Sequence, residues 1–173
     1  MINIEELKLN INEYINLNLK VRTRVRKNTI CRSMTPKMTP VDSCESISNE
    51  EKSIDDYLNK QEKTFQERLF YYIDSKGYKD TDVYLASHID RRLFSKIRSN
   101  VDFKPSKKTA ISLCFGCKLN IDEALDLLNR AGYTLSNSSK FDLIIKYFLE
   151  NEEYDISVLN QILYDYGLDT LYI

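Results

Sequence analysis

Helix start and stop signals follow one another closely from residue 64 onward, and they strongly favour a helical fold. Thr64 with Glu67 forms a capping box, and Asn120 with Glu123 caps a later helix. Single polar residues mark three further helix starts, at Asp90, Ser106 and Asp155. Glycines mark three helix ends, at Gly77, Gly132 and Gly167. With only 4 Gly and 3 Pro in the chain, an all-α fold is favoured over a turn-rich sheet protein.

Apolar residues recur at helical spacing between these signals and predict seven helices after residue 63. The second of them is predicted over about residues 81–87, and the third over residues 90–100. The side chains expected to face the core include Phe65, Leu69, Leu93, Phe94, Ile97, Ala110, Ile111, Leu125, Leu128, Phe141, Ile144, Ile145, Phe148, Leu159 and Ile162. The short connections between these segments are typical of a compact helical domain.

The N-terminal part of the chain has a different pattern. Residues 4–19 carry apolar groups at helical spacing and predict one amphipathic helix. In the following "KVRTRVRK", residues 20–27, Val and Thr alternate with basic residues, which predicts an extended basic arm presenting Arg22, Arg24 and Arg26. Residues 28–62 lack periodicity and are predicted as a linker. The chain is therefore divided into residues 1–27, 28–62, 63–136 (the main domain) and 137–173 (a C-terminal helical extension).

The near-neutral net charge of −1 conceals a strong segregation of charge. Residues 63–118 contain 12 Lys and Arg against 6 Asp and Glu, whereas residues 120–173 contain 3 against 10. A cationic centre beside an acidic C-terminal part influences which partners a protein attracts. No apolar run approaches the roughly 18 residues that span a bilayer, and the N-terminus is unlike a secretory signal. We therefore expect a cytoplasmic protein without a membrane segment.

Two features that could indicate enzyme chemistry have simpler interpretations. Cys114 and Cys117 form a C-x-x-C, but they lie in an apolar helical run with no second pair, so we expect buried small side chains and no metal site. His88 is the single histidine and is expected to be a turn residue bonded to nearby backbone. Because no nucleophile elbow, P-loop or dinucleotide motif is present, we predict no catalytic residue, no cofactor and no enzyme activity.

The stretch "HIDRRLFSKIRSN", residues 88–100, places cations on one face of the third predicted helix. On a helical wheel Leu93, Phe94 and Ile97 cluster on one side. The opposite side carries Arg92, Ser95, Lys96 and Ser99, with Arg91 and Arg98 on the flanks. Short polar residues beside long cations suit a helix that enters a DNA major groove. The next segment, "KPSKK", adds the candidate phosphate contacts Lys104, Lys107 and Lys108 at a helix N-terminus.

Residues 65–132 resemble the five-helix Xre/Cro-type helix-turn-helix domain of phage repressors. The family pattern superposes without gaps on "VYLASHIDRRLFSKIRSN", residues 83–100, with Asp90 as the helix cap and Asn100 at the terminal glycine. The resemblance implies that the base-contacting positions are Arg91, Arg92 and Lys96. It also implies a phage-repressor-like domain to which two C-terminal helices, an N-terminal helix and a basic arm are added.

A second resemblance covers residues 65–173. The segments "IDRRLFSKIRSN", "KPSKKTA" and "LLNRAGYTLSNSSKFDLIIKYF" are similar to a helical module of bacterial stand-alone proteins, which also occurs at the C-terminus of some macrodomain proteins. This likeness implies a signalling or phage-defence context. Two positions depart from the helix-turn-helix pattern: Tyr84 replaces a small Ala, and His88 replaces a Gly. Tyr84 is expected to push the two helices apart or rotate them, and His88 to strain the turn.

Two functions are carried forward as hypotheses. The first is a transcriptional regulator that inserts residues 90–100 into the major groove of double-stranded DNA and dimerises through its C-terminal helices. The second is a protein-interaction or adaptor module built on the same fold. The basic arm could track phosphates or enter a minor groove, pair with another chain as an edge strand, or be merely solvated. The C-terminal helices could cover the core, form a homodimer interface or bind a protein partner.

Overall fold

The computed structural model describes residues 4–25 and 63–172, with side chains described for residues 4–19 and 63–172. These residues form eight α-helices and no strand, so the all-α prediction is confirmed for this part of the chain. The helices are α1 (Ile4–Val25), α2 (Phe65–Ser75), α3 (Asp80–Ala86), α4 (Arg91–Ser99), α5 (Lys107–Gly116), α6 (Ile121–Arg130), α7 (Lys140–Glu150) and α8 (Ile156–Asp165). None of these helices has both the length and the apolarity needed to cross a membrane.

The predicted N-caps are confirmed by their hydrogen bonds. In α2 the Thr64 side chain accepts from the Glu67 amide, while the Glu67 carboxylate accepts from the Thr64 amide at 2.8 Å. Single side-chain caps begin α4, α5 and α8, and a second capping box begins α6. Only the start of α3 was misplaced, by one residue, because Lys79 at its N-cap makes no side-chain bond that would signal the position.

Six of the helices end in the same backbone motif. After each C-cap comes a residue with positive φ, and the amide of the next residue donates to a carbonyl five positions back, as Tyr78 does to Ile73 at 3.0 Å. The three predicted glycine ends are confirmed by positive φ values at Gly77, Gly132 and Gly167. The other three ends use non-glycine residues, His88 (φ 53°), Lys118 (φ 47°) and Glu152 (φ 55°).

Helix α4 ends differently. Its C-cap, Asn100, is extended, with φ −122° and ψ 107°, although the family pattern has a glycine at this position. The Asn100 side chain accepts a hydrogen bond from the Asp102 amide at 3.1 Å and so turns the chain directly toward α5. The end of α4 therefore does not need a residue with positive φ. Asn100 aligns with the terminal glycine of the family pattern in sequence, but it has a different backbone conformation.

Helix α5 is the centre of the core. Every residue from Thr109 to Cys117 is buried, and α3 and α6 pack on this helix. Cys114 and Cys117 are fully buried free thiols, as predicted for small core side chains. Burial raises the pKa of the Cys117 thiol to about 12 and that of Cys114 further still. Both groups are therefore protonated at neutral pH and chemically inert.

The packing of α3 on α5 depends on a glycine. A Cβ added to Gly116 would lie 2.8 Å from the carbonyl oxygen of Val83 and would overlap the Ser87 hydroxyl. Ser87 is itself buried, and its hydroxyl donates to the Val83 carbonyl at 2.7 Å. Residue 116 must therefore lack a side chain for the two helices to approach this closely.

The C-terminal helices complete the same core. Ile144, Ile145 and Phe148 of α7 are buried within this chain. Phe115 of α5 contacts Phe148 with ring centroids 6.5 Å apart and Tyr154 with centroids 6.3 Å apart. Covering the core thus accounts for most of the apolar surface of α7, while a homodimer interface in this region stays a prediction.

Helix α1 returns to pack on the C-terminal helices. Its Leu7, Ile11 and Ile15 are buried, and the helix lies against α7. Helix α1 also contacts the end of α8, where the Lys8 ammonium lies 2.9 Å from the Asp165 carboxylate. The Tyr166 hydroxyl donates to the Asn12 side chain at 2.7 Å.

The predicted extended arm is wrong through residue 25, because α1 continues to Val25. Each residue added to an existing helix gains a backbone hydrogen bond, and Lys and Arg are good helix formers. These effects outweigh the alternation of Val and Thr. Arg22 and Arg24 therefore lie on a helical backbone, while Arg26 and the predicted linker at residues 28–62 lie outside the described residues.

Candidate nucleic-acid interface

Helix α4 presents the predicted faces. Phe94 and Ile97 are only 3% and 0% exposed, so they anchor the helix to the core. Phe94 contacts the rings of Phe70 in α2 and Tyr84 in α3, each at 6.0 Å between centroids. The exposed residues of α4 are Arg91, Arg92, Ser95, Lys96, Arg98 and Ser99. The helical wheel therefore gave the inward and outward sides correctly.

The cations of this face differ in what they contact. Among the described residues, no carboxylate forms an ion pair with Arg91, Arg92, Lys96 or Lys104. The Asp90 carboxylate instead accepts the Arg92 backbone amide at 2.6 Å, so it caps the helix. Arg92 and Lys96 follow each other by one helical turn and project from the same exposed side.

The lysines at the start of α5 are more constrained. The Lys107 ammonium lies 2.6 Å from the carboxylate of Asp142, which is buried and also accepts the Ser136 amide at 2.9 Å. This pair ties α5 to the start of α7, so Lys107 serves a structural contact. Lys108 lies 3.5 Å from Asp169, whose side chain is largely exposed, and such a pair is weak.

Of the two departures from the family pattern, His88 lies in the turn between α3 and α4, and Tyr84 lies within α3. His88 has the left-handed backbone that glycine would adopt freely, and its amide donates to the Leu85 carbonyl at 3.2 Å. The predicted position of His88 in a turn is thus confirmed, and the bond to nearby backbone is made by its main-chain amide. Its ring also lies 6.3 Å from that of Tyr172 near the C-terminus, a contact that the sequence did not indicate.

Tyr84 is half-buried at the edge of a groove between α3 and α4. The groove has a volume of about 360 Å³ and is lined by Asp80, Thr81, Tyr84, Arg91, Phe94, Ser95 and Arg98. The bulky ring is accommodated against Phe94 at the mouth of this groove. Whether it changes the angle between the helices relative to the family stays a prediction.

Arg98 makes contacts that sequence analysis missed. Its guanidinium pairs with the carboxylate of Asp80 in α3 and lies over the Phe70 ring of α2, 4.9 Å from the centroid. The Gln66 side chain of α2 donates to the Arg98 carbonyl at 2.5 Å. The flanking position of Arg98 on the wheel was the only available signal, and it does not identify partners on other helices.

Among the described residues, no group of three or more His, Cys, Asp or Glu side chains is arranged to hold a metal ion. The exposed chemistry of this surface consists of guanidinium, ammonium and hydroxyl groups on α4, together with Lys104 in the loop after it. In comparisons with known proteins, no family model, curated protein or solved structure matches this chain.

Proposed function

We propose that the protein is a transcriptional regulator that binds double-stranded DNA by inserting α4 into the major groove. The observation that carries the proposal is the exposure of Arg92 and Lys96, together with their lack of an ion pair with any described carboxylate. Both side chains are exposed and make no ion pair with a described carboxylate, and the helix that bears them is anchored from behind by Phe94 and Ile97. A helix that is anchored to the core and carries cations without a described carboxylate partner on its outer face suits direct readout of base edges.

The chemistry of this face favours guanine. Arg and Lys donate to the O6 and N7 atoms of guanine, whereas adenine is normally paired by Asn or Gln, which α4 lacks. Positions four residues apart are separated by about 6 Å along a helix, close to two base-pair steps of about 3.4 Å. We therefore expect Arg92 and Lys96 to contact guanines about two base pairs apart, with Ser95 and Ser99 allowing close approach.

Phosphate contacts would come from the ends of this face. Lys104 and Lys108 are the candidates, since Lys107 is engaged by a buried carboxylate, while Arg91 keeps the base-contacting role that the resemblance implies. Phosphate contacts set affinity and its salt dependence without specifying sequence. Contacts from Arg22, Arg24 and Arg26 of the basic segment, and a homodimer that bridges two half-sites, belong to the same proposal as further expectations.

The test begins with a duplex selected by the wild-type protein from a random library. Binding of that duplex is then measured by fluorescence anisotropy for Arg92→Ala and Lys96→Ala across a salt series. Each variant should lose affinity by about 1–3 kcal/mol, roughly 5- to 150-fold, because a bidentate base contact is removed. Lys140→Ala, which removes an exposed cation from α7, is the matched control and should bind like the wild type.

Absence of salt-dependent binding to any duplex, or wild-type affinity in both α4 variants, would refute the proposal. The second result would place duplex binding on another surface, and the first would favour the alternative of a protein-interaction module. The side chains available for that role include Tyr164 and Tyr172, which are exposed aromatic residues on and beyond α8. Aromatic side chains of this kind are enriched at protein interfaces.

A further inference from the structure

The attachment of α4 to the rest of the protein is unusual within this fold. Of the eight described helices, α4 alone has no extended backbone packing against a neighbouring helix. It also lacks the left-handed C-terminal motif that ends six others, since Asn100 is extended. The orientation of α4 therefore depends strongly on its side-chain contacts.

Phe94 and Ile97 anchor the inner face of α4, and a second set of contacts converges on Arg98, in the last turn of the helix. Its guanidinium pairs with Asp80 at the start of α3 and lies over Phe70 of α2. The buried Gln66 side chain caps the helix from α2 by donating to the Arg98 carbonyl at 2.5 Å. Arg98 thus joins the C-terminal end of α4 to both helices that precede it, as Phe94 does near the middle of the helix.

We propose that Arg98 is a positioning residue, which fixes the orientation of α4 for duplex binding without contacting DNA itself. This inference rests on the proposed function. Arg92 lies six residues from Arg98, or about 9 Å along the helix axis. A rotation of α4 by about 10° around its C-terminal end would move Arg92 by about 1.6 Å, more than the roughly 0.5 Å that a binding constellation tolerates.

An alternative role for the same residue is a phosphate contact, because the Arg98 side chain is 56% exposed. The two roles make opposite predictions for the removal of Asp80. If Arg98 contacts phosphate, removing the competing carboxylate frees the guanidinium and strengthens duplex binding. If Arg98 positions α4, removing the carboxylate loosens the C-terminal end of the helix and weakens binding, even though the protein has become less acidic.

The experiment therefore compares Asp80→Ala with Asp82→Ala in the full chain. Asp82 is an exposed acid in the same first turn of α3 and makes no ion pair with a described residue, so its removal changes the net charge equally. With the wild-type-selected duplex, Asp80→Ala should bind roughly 10-fold more weakly than Asp82→Ala, the scale on which orienting residues act. Arg98→Ala should show a similar loss, with the salt dependence of the wild type.

Thermal unfolding of each variant establishes that binding is measured on folded protein. The doubly substituted Asp80→Arg, Arg98→Asp protein rebuilds the ion pair with reversed charges and should recover part of the lost affinity. The inference is overturned if Asp80→Ala binds as tightly as Asp82→Ala, or if Arg98→Ala lowers the salt slope by about one, as loss of a phosphate contact would. Failure of the wild type to bind any duplex would instead overturn the proposed function.

Discussion

At the scale of single residues, Asp126 illustrates how individual charges stabilise this fold. Its carboxylate accepts from Arg130 of the same helix at 3.1 Å and from Arg68 of α2 at 2.7 Å. The Tyr72 hydroxyl donates to it as well, at 3.2 Å. These hydrogen bonds, that from Arg130 first and that from Arg68 next, lower the pKa of Asp126 below its usual value.

A pH dependence of stability results from the lowered pKa of Asp126. The folded state holds this carboxylate ionised to lower pH than the unfolded state, whose carboxyl pKa is about 3.9. The stabilisation is therefore complete above about pH 5 and is lost as the pH falls through the folded-state pKa. In urea unfolding, Asp126→Asn should be less stable than the wild type by about 1 kcal/mol at pH 7.

That difference between the two proteins should shrink as the pH falls through the folded-state pKa of Asp126, because the wild-type carboxylate then becomes protonated as well. Other carboxylates titrate in both proteins and cancel in the comparison. A stability difference that stays constant from pH 7 to pH 2 would show that the ionised state of Asp126 contributes nothing.

Single residues also explain where helix ends could be predicted from sequence and where they could not. Glycine marked three helix ends because its lack of a Cβ makes positive φ inexpensive. His88, Lys118 and Glu152 adopt the same conformation without that signal. A weaker signal was available in the apolar residue that comes next, as in Ile89 and Leu119, since such residues accompany this helix-end motif.

At the scale of helices, the order of α2–α8 and most of their starts were accessible from sequence, because caps and apolar spacing are local properties. The packing of α3 on α5 was not, because it depends on the contact of Gly116 with Val83 and Ser87. In a sequence, a glycine near the end of an apolar helix could equally be a helix stop signal or a point where another helix approaches closely. Only the neighbouring backbone identifies it as a close-approach site.

We expect Gly116→Ala to destabilise the protein by about 2–3 kcal/mol, because the new methyl group overlaps Ser87 and the Val83 carbonyl. Backbone atoms cannot move aside as a flexible side chain can, so α3 must shift. Hydrogen exchange of the α3 amides should accelerate along with the loss of stability in urea unfolding.

The control for this substitution is Gly77→Ala. Gly77 has a φ of 69° and no heavy atom within 4 Å of an added Cβ, so the cost is backbone strain of about 1–2 kcal/mol without any clash. The α3 amides should exchange no faster in this control than global destabilisation accounts for. Equal effects of the two substitutions on α3 exchange would contradict a specific contact between α3 and α5.

At the scale of the molecule, the two ends of the described chain meet. Lys8 and Tyr166 are in contact although 158 positions separate them. The amphipathic pattern of α1 indicated that one face would be buried, but not what would cover it, since any apolar surface satisfies that pattern. Likewise, the outward face of α4 was predictable, whereas the pairing of Arg98 with Asp80 depended on how three helices are arranged.

Docking of α1 can be tested with two substitutions on its opposite faces. Ile11 is 0% exposed and Leu9 is 69% exposed. In urea unfolding, Ile11→Ala should lower the free energy of unfolding by about 2–4 kcal/mol, since it leaves a cavity under the helix. Leu9→Ala should change it by less than about 0.5 kcal/mol. Similar small effects at both positions would mean that α1 is not part of the folded core.

Phe115 of α5 belongs to the same segment as α4, and its ring packs on the C-terminal part of the chain, against Phe148 and Tyr154. A fragment ending near Gly132 would therefore open one wall of the hydrophobic interior to water. Its failure to bind a ligand would report collapse of the scaffold, even if every ligand-contacting side chain were still present. Any activity of this protein is best mapped by point substitutions in the intact polypeptide, because the segment resembling a repressor domain shares its interior with α7 and α8.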